Sequence, residues 1–109
     1  MPEDLATAIK DYFAGKNSGD FAGAVSGFSR SAVVKDEGQS HRGPAAIRAW
    51  MEETTAKYND KAKVRSVASQ GDKVEVLAQV SGTFPGSPIM LRFMFTLDGD
   101  QISLLEIAS

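Results

Sequence analysis

Apolar side chains recur along the first half of the chain at helical spacing and along the second half at every other position. Leu5, Ile9, Tyr12 and Phe13 share one face of a predicted first helix that ends near Gly15. Phe21, Ala24, Val25 and Phe28 continue at the same spacing into a short second helix, with Asp20 as its candidate N-cap and Gly27 near its end. Ile47, Trp50, Met51, Thr54 and Tyr58 trace the face of a third, and Pro44 suits its first turn, where a missing amide hydrogen costs nothing. Between the second and third helices, Ala32, Val33 and Val34 are too few for a helix. They read as a short strand brought to a turn by Asp36, Glu37 and Gly38, with a polar loop, residues 39–43, beyond it.

After Asn59 and Asp60 the period becomes two. Strands are predicted over 64–68, 74–81, 90–97 and 102–107, parted by turns at Gly71 and Asp72, at residues 84–88, and at Asp98, Gly99 and Asp100. Three helices followed by a meander predict a single α+β domain over residues 1–109, in which the helices cover one face of a strongly curved, mostly antiparallel sheet. The strand over 90–97 is apolar on both faces. Its outer face therefore needs a cover of its own, and a second copy of the chain, a homodimer, is the expected one.

Composition narrows the function classes. Twelve basic and fourteen acidic residues, net charge -2, provide no electrostatic footing for nucleic acid or an anionic membrane surface. With no cysteine and one histidine, neither a disulfide nor a zinc centre is expected, and no cofactor or metal is implied. The acidic start lacks the features of a signal peptide, and no run approaches the length of a membrane span, so a cytoplasmic protein is the expectation.

The candidate chemistry gathers in residues 32–50, where a strand ends at a carboxylate and a helix carries the only tryptophan back over it. Asp36 is the candidate general base, because an acid at the edge of an apolar pocket is desolvated and its pKa rises toward a useful range. Glu37 should point the opposite way if the pleat persists. His41 is a candidate proton shuttle by its ordinary pKa, although an exposed histidine in a polar loop needs no such role to explain it. Arg92 is the one charge in its apolar strand; facing inward it would hold an anion or pair with Asp36 or Glu106, facing outward it meets an interface or solvent.

The segments NSGDFAGAVSGF, AVVKDEG, RGPAAIRAWM and LDGDQISLLEI, in that order, resemble the nuclear transport factor two-like superfamily, in particular its SnoaL-like members. The resemblance implies a cone: a bent sheet with three N-terminal helices across a deep pocket. Ketosteroid isomerases, polyketide cyclases, epoxide hydrolases and dehydratases share that fold with non-catalytic modules. By similarity to the isomerase pattern, Tyr12 stands where an oxyanion-stabilising tyrosine would, Asp36 where the general base would, and Trp50 where an aromatic lines the pocket. The second acidic donor of that pattern would fall between Met90 and Arg92, and this chain has no acid there. In a cone the core is also the pocket wall, so Trp50, Phe13, Phe28, Met51, Met94 and Arg92 are the candidate substrate contacts, with Phe95 competing with Met94 for the inward direction.

Two readings follow. One is an isomerase, cyclase, dehydratase or hydrolase of the SnoaL-like type acting on an apolar cyclic or carbonyl compound; the other is a ligand-binding or dimerisation domain without catalysis. Convergence of Asp36, Tyr12 and Arg92 on one cavity favours the first, and their divergence the second.

Overall fold

The computed structural model describes residues 6–108. Leu5 and the acids at positions 3 and 4, expected at the start of the first helix, lie outside the described residues. Helix α1 spans Thr7–Ser18 and buries Ala8, Ile9, Tyr12, Phe13 and Lys16, a face one turn longer than the apolar spacing indicates. It ends on Gly19, whose φ of 86° suits a residue without a Cβ. Helix α2, Phe21–Val25, is capped as expected: the Gly23 amide donates to Asp20 Oδ1 at 3.1 Å. The two helices pack almost backbone to backbone at Gly15, where a Cβ would lie 2.4 Å from the Asp20 carbonyl oxygen and 2.6 Å from the Ala24 nitrogen.

Phe28 opens a strand instead of continuing the helix. Strand β1 runs Phe28–Asp36, and its burial alternates so that Ala32 and Val34 face the core and Asp36 follows them on the same side. The expected polar loop is in fact a second strand, β2 (Gln39–Arg42), paired antiparallel with β1 from Asp36↔Gln39 to Val33↔Arg42. Glu37 and Gly38 form the two-residue turn between them, both with positive φ, 54° and 76°, as a tight hairpin of right-handed twist requires. Helix α3, Pro44–Tyr58, begins with proline in its first turn and buries Ile47, Trp50 and Met51. Its start is tied to β1 by the Gly43 amide, which donates to the Ala32 carbonyl at 2.7 Å.

Strands β3 (Lys61–Gln70), β4 (Lys73–Ser81), β5 (Ile89–Asp98) and β6 (Gln101–Ala108) form the expected meander. The six-stranded sheet has the order β2-β1-β6-β5-β4-β3, antiparallel except where β6 lies parallel to β1. Its inner face carries Val74, Val76, Ala78 and Val80 of β4 with Phe93 and Phe95 of β5, on which α1 sets Tyr12 and Phe13. Tyr12 meets the rings of Phe13, Phe28 and Phe95 edge-on at 5.0–5.9 Å, a geometry that adds to what burial of such side chains contributes, about 1.5–3 kcal/mol each. No helix among the described residues is long and apolar enough to cross a membrane.

Candidate functional site

Core packing stops short of filling the sheet's inner face. Beyond Phe93, residues of the sheet and of α3 enclose a cavity of about 500 Å³. Leu91, Phe93 and Ile107 form its floor, Trp50, Met51, Thr54 and Tyr58 of α3 one wall, and Phe84 and Pro85 of the β4–β5 loop its rim. Asp36, at the inward end of β1, and Tyr12 and Lys16, one turn apart on α1, open onto the same space.

Burial alters the two groups proposed for chemistry, Asp36 and Tyr12. Desolvation, reinforced by Glu37, raises the Asp36 carboxyl above its ordinary range; the Trp50 indole and His41 pull the other way. Burial, with Asp60 and then Asp36 nearby, raises the Tyr12 phenol, so it stays protonated and able to donate. The Tyr12 hydroxyl is fully buried and has no hydrogen-bond partner among the described residues. Lys16, the one buried charged residue among those described, forms an ion pair with Asp60 Oδ2, while Asp60 Oδ1 is buried without a partner among the described residues. Next to this pair the Asn17 side chain mimics a strand: its Nδ2 donates to the Ala62 carbonyl at 2.8 Å, and the Ala62 amide donates to its Oδ1 at 2.9 Å.

Of the residues singled out from sequence, Asp36, Tyr12, Trp50 and Met51 share the cavity. Phe13 and Phe28 do not line it; they pack beneath it against Tyr12, Phe93 and Phe95. Met94 and Arg92 face away, because the pleat that turns Phe93 and Phe95 inward turns their neighbours out. Arg92 sits about half-exposed, 3.8 Å from Glu75 on the next strand. It is not a cavity residue, so of the three side chains whose convergence separates the two readings, Asp36 and Tyr12 meet on the cavity and Arg92 does not. His41 is likewise off the wall, stacked on the Trp50 ring. Glu37, by contrast, reaches the mouth, since its positive φ breaks the pleat that would have turned it away.

Lys16, Asp60, Thr54, Tyr58 and Phe84 also line the cavity, although none is among the site residues expected from the sequence. Lys16 was detectable, four residues beyond Tyr12 on the same helical face. Asp60 was not, because it lies forty-four residues from its partner, in a segment that reads as a plain helix end.

A bent six-stranded sheet with helices over an apolar cavity defines the nuclear transport factor two-like class. The model of the SnoaL-like domain matches residues 9–104, and the chain belongs to that family. A candidate polyketide cyclase from Sinorhizobium meliloti is 36% identical over 96% of both chains, with a TM-score of 0.92. A protein of ketosteroid isomerase-like fold from Catenulispora acidiphila, solved with trimethylamine, is 17% identical over 97% of this chain and 87% of its own, TM-score 0.85. A nuclear transport factor two-like protein from Cytophaga hutchinsonii is 16% identical over 99% and 93%, TM-score 0.79. The last two share the fold alone. Comparison with curated proteins found no match.

Among the described residues no group of three or more histidine, cysteine, aspartate or glutamate side chains is placed to hold a metal ion.

Proposed function

We propose that the chain is a small-molecule enzyme of the SnoaL-like kind, taking an apolar cyclic or carbonyl compound into the cavity. Asp36 acts as the general base, removing a proton next to the carbonyl or activating water, and the Tyr12 hydroxyl donates to the developing oxyanion. The observation that carries this reading is the shared cavity: a carboxyl raised by desolvation and a buried phenol without a partner face one apolar space. Likeness to the candidate polyketide cyclase, 36% identical, supports an enzyme reading.

Exchange of α-protons for deuterium in a panel of cyclic ketones, followed by NMR, tests the assignment. Exchange driven by the wild-type protein and lost in Asp36→Asn is the expected result, and equal exchange in both removes Asp36 from the role.

A binding protein without catalysis is the second reading. It is favoured by the outward Arg92, which leaves the cavity without an anion-holding guanidinium. We also propose that the outer sheet face pairs with a second copy. Met90 and Met94, 43% and 36% exposed, flank Arg92 there, and sedimentation showing only the 11.6 kDa species at micromolar concentration would count against it.

A further inference from the structure

The cavity wall is unevenly charged. Asp36, Glu37 and Asp60 stand against a single ammonium, Lys16, and Asp60 already holds that ammonium. The buried polar atoms of the wall left without a partner are able to accept. Asp60 Oδ1 has no donor among the described residues and the Tyr12 hydroxyl no partner of either kind. A carboxylate oxygen only accepts, and a phenol oxygen accepts while its own hydrogen remains free to donate. The rest of the wall includes the rings of Trp50, Tyr58 and Phe84, and aromatic faces attract cations. Tyr58 already shows this locally, with Lys57 Nζ 5.1 Å from its ring centroid. His41 stands off the wall against Trp50 and does not alter the set of groups that a ligand meets.

Three polar groups of a ligand can be compared on this wall. A carboxylate would bring only acceptors and a like charge. A hydroxyl would bring a single donor, and an ammonium several donors with the opposite charge.

Resting on the reading that this cavity is the ligand site, we infer that its ligand carries a protonated nitrogen on an apolar ring body, held by Asp60 Oδ1 and the Tyr12 hydroxyl in the field of Asp36 and Glu37. The nitrogen then lies at the α1 side of the cavity. Asp36 remains free for a proton next to a carbonyl, and the Tyr12 hydrogen for the carbonyl oxygen.

Calorimetric titration of the whole protein with naphthylmethylamine, naphthylmethanol and naphthoic acid holds the ring constant and varies the polar group. The amine is expected to bind at least about tenfold more tightly than the alcohol, the ratio one charge-assisted hydrogen bond supplies, and the acid most weakly. Added salt and the exposed-site variant Glu37→Gln should shrink the amine's advantage and leave the alcohol unchanged. Leu91→Trp, which fills the cavity, should weaken the amine and the alcohol alike. If the alcohol matches the amine and Leu91→Trp weakens both, the cavity reading stands and the inference about nitrogen fails. If none of the three binds, or Leu91→Trp leaves binding unchanged, the cavity reading fails and the inference fails with it.

Discussion

The imidazole of His41 lies on the indole of Trp50, ring centroids 5.7 Å apart and planes 29° from parallel. The contact joins β2, an edge strand, to the middle of α3, and so fixes the orientation of the aromatic wall beside Asp36. His41→Ala should cost about 1 kcal/mol, the usual value of an aromatic pair. Trp50 is the only tryptophan, so its fluorescence reports directly on the change: a red-shifted emission with an otherwise native circular dichroism spectrum is expected, and an unchanged emission would show that β2 does not hold the ring.

Asp36 carries a pH signature. Its carboxyl keeps its proton to a higher pH in the folded chain than the 3.8 of an unperturbed aspartate. Ionisation above the folded pKa therefore costs the folded state stability, and that cost is relieved as the pH falls through the folded pKa and is absent below 3.8. At neutral pH Asp36→Asn should be more stable than the wild type, with the difference closing toward acid, while the proposed catalysis falls by about 10²–10⁴-fold. Urea melts across that range give the first result and deuterium exchange the second.

The Lys16–Asp60 pair is 7% and 13% exposed at its side chains. Lys16→Met leaves a carboxylate buried without its partner, which should cost about 3–5 kcal/mol. The double variant Lys16→Met, Asp60→Leu removes both charges and should recover most of the loss. Denaturation midpoints for the two single variants and the double variant close the cycle, and simple additivity would mean that the ion pair is not coupled.

Glu37 occupies a left-handed conformation, φ 54°, that asparagine adopts more readily. Glu37→Asn should raise stability by about 1 kcal/mol. Removal of its charge should at the same time lower the Asp36 pKa, since Glu37 is the second contributor to that shift. NMR titration of the Asp36 carboxyl carbon and a urea melt measure the two effects on one sample.

The parts of the fold that the sequence showed best are those whose apolar spacing is unbroken. The α3 face of Ile47, Trp50 and Met51 and the alternation of Val74, Val76, Ala78 and Val80 are read from residue type alone, and both are buried as expected. Strand β2 was hidden because QSHR has no apolar alternation; it is a strand through its hairpin turn and its pairing to β1, which supply backbone partners that side-chain pattern does not record. Phe28 misled for the opposite reason, since its spacing from Ala24 and Val25 suits a helix and a buried strand start equally well. Within the site, Asp36 followed from its place after an inward strand. The outward turn of Arg92 depends on which of two apolar faces of β5 meets the helices, and neither face is polar enough to decide it.

The parallel seam between β1 and β6 has a temporal consequence. The Gly27 carbonyl, at the foot of β1, accepts from the Ile102 amide at 2.8 Å, and Phe28 and, after a break in register, Val33 through Lys35 pair along β6. On the ribosome, α1, α2 and β1 emerge well before the strand that will seat them, and contacts so distant in sequence form slowly. Until β6 arrives, the nascent chain presents Ile9, Tyr12 and Phe13 without their sheet, an apolar surface prone to aggregation until the seam closes.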